Sequence, residues 1–70
     1  MKLSARNGLK GTIKAIDIGV VNVEVLIEIA PGIEITSIIT KKSCEKLGLE
    51  KGKEAYAVIK ASNVMIGVDD

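Results

Sequence analysis

The chain has 70 residues, one cysteine and no histidine, with ten Lys and Arg against nine Asp and Glu for a net charge of +1. A single thiol excludes an internal disulfide, and without histidine a structural zinc has too few ligands. The near-balance of charge gives no electrostatic footprint for nucleic acid, and no apolar run approaches the ~18 residues that span a membrane.

The pattern along the chain is that of strands, as eleven Ile and seven Val would favour. Leu9 to Ala15 alternate: Leu9, Gly11, Ile13 and Ala15 share one face, and Lys10, Thr12 and Lys14 the other. The phase shifts at Ile16 and Ile18, which predicts a bend or bulge near Ala15 to Asp17, and Asp17-Ile18-Gly19 reads as a turn. The second strand puts Val21, Val23, Val25, Ile27 and Ile29 on one face and Asn22, Glu24 and Glu28 on the other. Leu26 interrupts that polar face and is a candidate subunit contact. Ala30-Pro31-Gly32 ends the strand, because Pro cannot donate to a ladder and Gly permits a tight turn.

The third strand runs from Ile33 to Ile39 and becomes apolar on both sides at Ile38. Thr40 then reads as a helix N-cap, Lys41 to Leu47 as a short helix with Cys44 and Leu47 inward, and Gly48 as the residue past its end. Glu50-Lys51-Gly52 is a turn. A fourth strand covers Lys53 to Ala61, with Ala55, Ala57 and Ile59 on one face and Tyr56 and Val58 on the other. A fifth covers Val64 to Val68, and Asp69-Asp70 is a polar tail. This order predicts an all-β fold, a five-stranded Greek-key barrel of the OB type with one short helix between strands 3 and 4. One continuous pattern without repeat or linker predicts a single domain over residues 1–70.

A domain this small has a marginal core. The 47% hydrophobic content exceeds what it can bury, so apolar strand faces around Ile38, Val58 and Met65 predict a homo-oligomer. The lone thiol, together with a Met1-Lys2-Leu3-Ser4 start lacking a long apolar region, points to the cytoplasm.

Catalysis finds no support. No histidine can act as a base near neutral pH, Cys44 has no imidazole to activate it, and Glu24, Glu28 and Glu34 sit on solvated strand faces. The chain reads as a binder and not an enzyme. Nucleic acid, the usual ligand of an OB barrel, requires aromatic platforms along a basic groove, and Tyr56 is the only aromatic. That alternative, and a purely structural oligomer, are the weaker readings. What remains are small donors and cations beside chain turns: Ser4-Ala5-Arg6-Asn7, Thr40 with Ser43, and Lys60-Ala61-Ser62-Asn63. A helix start favours an anion. Lys41 and Lys42 in that first turn carry charge of the unfavourable sign, which a bound anion would offset. Singly, each of these residues is ordinary: a cap, a surface charge, a loop serine.

Ser4-Ala5-Arg6-Asn7-Gly8-Leu9-Lys10-Gly11 resembles the S-A-R-N-x-L-x-G opening of the molbindins, or Mop domains. Ile35-Thr36-Ser37-Ile38-Ile39-Thr40 is similar to their I-T-S-I-I-[ST] strand. Leu47-Gly48-Leu49 and the run from Tyr56 to Ile66 match the remainder in order. The chain departs at Gly8, often polar in that family, and in the Ala30-Pro31-Gly32 turn. The resemblance implies an OB-fold protein that binds molybdate, and tungstate likewise, in the cytoplasm for storage or buffering. It implies a homohexamer, a trimer of dimers, with oxyanion sites between subunits and no further cofactor. Met1 to Asp70 leaves no room for an attached DNA-binding or ATPase domain, so the resemblance is to the stand-alone form. Carried over, the intersubunit site would use Ser4, Ala5 and Arg6 from one chain, with Thr40, Ser43, Lys60, Ala61 and Ser62 from the neighbouring part. These residues suit the anion, since molybdate is a dianion with no proton and needs donors without carboxylates. Hydrogen phosphate would bring a donor that finds no acceptor, at a cost of about 1–3 kcal/mol. Sulfate matches in charge, so only cavity size can exclude it.

Overall fold

The structure, a computed structural model, describes residues 4–69. Met1, Lys2, Leu3 and Asp70, on which the readings of the start and the polar tail partly rest, lie outside the described residues. Four strands form one antiparallel sheet: β1 (Asn7–Ile18), β2 (Asn22–Ala30), β3 (Ile33–Thr40) and β4 (Glu54–Ile59). A helix, α1 (Lys41–Leu47), lies between β3 and β4 in the chain, and a 3₁₀ turn (Ala61–Asn63) follows β4. The spatial order is β3-β2-β1-β4. The expected mostly-β architecture with one short helix after the third strand is therefore present.

β1 holds the sheet together because it has partners on both sides. Its first half pairs with β4, from Asn7↔Ile59 to Thr12↔Glu54, and its second half with β2, from Thr12↔Glu28 to Ile18↔Val23. The register slips between Ile13 and Ala15, with Lys14 as the extra residue, and this is the bend expected slightly further along. Ile13 therefore faces the core before the slip and Ile16 after it, while Ala15 turns outward. Ile13 is also tied by its backbone to the turn ahead of β4: its N–H donates to the Lys53 carbonyl and its carbonyl accepts from Gly52, both at 2.9 Å.

The core is small. Ile13, Val23, Val25, Ile27, Cys44 and Ala57 are buried, and Ile16, Ile29, Ile35, Ile39, Leu49 and Ala55 pack around them. The inward faces of β2 and β4 are those their alternation predicts, except that Val21 lies before the strand and is exposed. Cys44 is buried and free, as a structural thiol would be. Gly11 has a specific task. A Cβ there would sit 2.5 Å from the Glu28 carbonyl oxygen and 2.7 Å from the Ile27 side chain, so β1 and β2 could not approach as they do.

Four sequence expectations change. The first turn starts later, because Ile18 still pairs with Val23; the Gly19 N–H then donates to the Asn22 carbonyl at 2.8 Å. Leu47 is exposed and does not share the inward face of Cys44. The chain leaves α1 through Gly48 in a left-handed conformation (φ 62°), with Gly48 N–H donating to Glu45 and Leu49 N–H to Cys44. That Schellman closure carries Leu49 onto the core in place of Leu47. The fourth strand spans Glu54 to Ile59 and not Lys53 to Ala61, because β1 begins at Asn7 and offers no partner beyond Ile59. Finally, Val64 to Val68 pairs with nothing in the described chain. An apolar sequence favours an extended backbone, but a strand also needs an edge to pair with.

Gly11→Ala is expected to lower stability by about 1–3 kcal/mol through overpacking. Urea denaturation reads this directly, and an unchanged midpoint would contradict the close approach of β1 and β2.

Candidate functional site

The expected ligands fall into two groups, and the division differs from the expected one: Lys60, Ala61 and Ser62 lie with Ser4, Ala5 and Arg6 and not with Thr40 and Ser43. Ser4, Ala5 and Arg6 lead directly into β1, and Lys60, Ala61 and Ser62 leave β4 directly. Since Asn7 and Ile59 are register partners, both triplets lie at the same end of the β1–β4 ladder. Ala5 is half-buried and the other five are exposed. Lys60 caps the 3₁₀ turn, whose opening amides, those of Ala61 and Ser62, have no acceptor within it. Three lysines are held by carboxylates: Lys10 by Glu54 at 3.2 Å, Lys53 by Glu50 at 3.7 Å and Lys14 by Glu28 at 3.9 Å. The Glu54 hydrogen bond holds the Lys10 ammonium above the ordinary lysine value. Neither Arg6 nor Lys60 pairs with a carboxylate among the described residues. This end of the sheet thus gathers two free cations, two hydroxyls and open amides.

Thr40 and Ser43 form the second group. Thr40 closes β3 opposite Asn22, beyond the Ile18 end of β1, and the first group lies beyond the Asn7 end. Twelve residues of β1 separate the two, at ~3.3 Å per residue along the strand. A tetrahedral oxyanion is far smaller than that. One chain therefore does not bring the two groups together.

Thr40 is a complete N-cap. Its Oγ1 accepts from the Ser43 N–H at 3.0 Å and its hydroxyl donates to Ser43 Oγ at 2.8 Å. The Ser43 hydroxyl, half-buried, keeps its own proton to donate. No acidic residue occupies the first turn of α1, and Lys41 and Lys42 are exposed there.

Four concavities among the described residues lie away from these donors. One of ≈ 440 Å³ has Lys10, Glu28 and Glu54 on its walls, and one of ≈ 260 Å³ has Asp17 and Glu24. Both carry carboxylates that repel a dianion. Two more, of ≈ 370 and ≈ 320 Å³, run between β3 and β4 and share Ile27, Ser37, Tyr56 and Val58. Tyr56 is exposed, a single ring without the aromatic neighbours that base stacking needs. Sequence reasoning missed this slot, because alternation assigns faces but not open edges. It also left unexplained the last glycine of the S-A-R-N motif, Gly11, which is a packing residue and no ligand.

The family model of the TOBE domain matches residues 3–66. A probable molybdenum-pterin-binding protein of Haemophilus influenzae is 49% identical over 69 residues, covering 99% of this chain and 100% of the relative. Among solved structures, apo MopII from Clostridium pasteurianum superimposes with a TM-score of 0.89 at 49% identity, covering 96% of this chain and 100% of that one. The cytoplasmic molybdate-binding protein ModG, with molybdate bound, superimposes with a TM-score of 0.92 at 54% identity. That match covers 99% of this chain and 49% of ModG.

Replacing Thr40 by Ala removes the cap and is expected to cost about 1 kcal/mol, while Thr40→Asn retains most of it. Equal stability of the two variants in thermal denaturation would contradict the cap.

Proposed function

The chain belongs to the TOBE-domain family, as the resemblance of its motifs to the molbindins implied, and we propose that it binds molybdate at seams between copies of itself. Tungstate, with the same charge and shape, is an equivalent ligand. The observation that carries this reading is the donor set beside the Asn7↔Ile59 pair: Ser4, Arg6, Lys60 and Ser62, with the Ala5 and Ala61 backbone, and no carboxylate among the described residues holding either cation. A dianion without a proton asks for such a surface, because every group there donates. Arg6 supplies a planar guanidinium and Lys60 a point charge, and both hydrogen bonds are charge-assisted.

Thr40 and Ser43 enter from a neighbouring copy. Their separation from the first group within one chain, by the length of β1, supports this division. The exposed Ile38, Val58 and Met65 supply apolar surface for assembly into a homohexamer, a trimer of dimers. In that assembly residues 1–70 form one domain and the barrel gains its fifth strand. The role is reversible holding, a cytoplasmic store or buffer of the oxyanion, with no chemistry done on it. That the Haemophilus influenzae relative and ModG carry molybdenum-pterin and molybdate binding in their names supports the ligand class.

Isothermal titration calorimetry with molybdate, and with sulfate as competitor, tests the reading. Saturable molybdate binding that equimolar sulfate does not displace is expected; heat from neither anion would contradict it. Arg6→Ala is expected to weaken molybdate roughly 10- to 100-fold, the loss of a charged hydrogen bond worth ~1.5–3 kcal/mol. Unchanged affinity would remove Arg6 from the site.

A further inference from the structure

We propose that Asn7-Gly8 is a site of self-catalysed modification, at which the Asn7 carboxamide becomes a carboxylate among the donors of the candidate site. The two residues open β1, directly after Arg6. Gly8 is one of the places where the chain departs from the S-A-R-N motif pattern. Its backbone does not require a glycine, because it is extended and lacks the positive φ of Gly32, Gly48 and Gly52. Glycine inside a strand weakens it. What Gly8 does supply is an unhindered backbone nitrogen next to an asparagine, the most labile of side-chain amides.

The ladder leaves that nitrogen free. Ile13 turns both its peptide groups toward β4, donating to Lys53 and accepting from Gly52. From Thr12↔Glu54 to Asn7↔Ile59 the register runs without a slip. Peptide groups alternate along a strand, so Gly11, Leu9 and Asn7 also face β4 and Gly8 faces the other way. β2 covers that other side only as far as Thr12↔Glu28, so the Gly8 N–H has no strand partner. No side-chain hydrogen bond holds the Asn7 carboxamide among the described residues. Asn7↔Ile59 is the last pair of its ladder, and end pairs open at little cost. Opening it lets Asn7 turn its side chain onto the Gly8 nitrogen.

The step is an internal displacement. The Gly8 nitrogen loses its proton to solvent and attacks Asn7 Cγ. A C–N bond forms, the bond to the side-chain nitrogen breaks and ammonia leaves. Water then opens the five-membered imide. Opening at Cγ gives aspartate, and opening at the main-chain carbonyl gives isoaspartate, with the chain rerouted through the side chain. Water is consumed, ammonia is released, and nothing is oxidised or reduced. Either product places a negative charge beside Arg6 and opposite the residue before Lys60. There it engages a cation of the site and repels a dianion. The other asparagines differ: Asn22 precedes Val23 and Asn63 precedes Val64, whose branched side chains crowd the attacking nitrogen.

The modification stands apart from the molybdate reading, and only its effect on binding rests on that reading, so the two are measured separately. Purified full-length protein is held at neutral and at mildly alkaline pH, and peptide mapping by mass spectrometry follows each asparagine. Asn7 is expected to convert first, and faster at the higher pH because its attacker must lose a proton. Gly8→Ala is expected to slow the conversion roughly 10-fold, since a methyl group restricts the turn that the imide requires. Asn7 staying intact while Asn22 or Asn63 converts, or an equal rate in Gly8→Ala, would overturn the proposal. For the consequence, Asn7→Asp is expected to bind molybdate roughly 10- to 100-fold more weakly than Asn7→Gln in calorimetry. Equal affinities would overturn the switch. Unmodified protein that takes up no molybdate would contradict the binding reading and the switch with it, while the mapping still decides the modification.

Discussion

The pairing of β1 with both β2 and β4 is the interaction on which the rest of this structure depends. β1 ties β2 and β4 together through both its edges, leaving β3 and β4 with one bare edge each. Among the described residues the core behind them is six buried side chains, too few for a domain to be secure on its own. Covering the apolar surface exposed at Ile38, Val58 and Met65 would add to that small core.

The candidate site inherits this geometry. Arg6 and Lys60 stand together because Asn7 and Ile59 are paired, and Thr40 stands apart because it lies past the far end of β1. The concavities described above are lined with carboxylates or hydrocarbon and not with these donors. The 3₁₀ turn at Ala61–Asn63 presents its opening amides beside Lys60.

Much of this was legible in the residues themselves. Alternation of Val23, Val25 and Ile27 assigned their inward face, Thr40 and Gly48 bracketed the helix, and the phase change after Ile13 announced a bulge. Each is a local rule with a local cause. Leu47 was misread because helical spacing stops at the left-handed Gly48, after which Leu49 is the residue that reaches the core. Val64 to Val68 was read as a strand because its composition is that of one, but pairing depends on an edge that lies outside the segment. The candidate ligands were legible mainly as a resemblance. Each is an ordinary serine, lysine or cap, and only the register Asn7↔Ile59 explains why two of the segments share one end of the sheet.

The central claim is that the oxyanion is held between chains and not on one. Native mass spectrometry across a molybdate titration tests it most directly. Bound oxyanion is expected on multi-chain species only, in a fixed ratio to chains, with single chains remaining bare at every concentration. Single chains carrying molybdate, or assemblies that never take it up, would contradict the account.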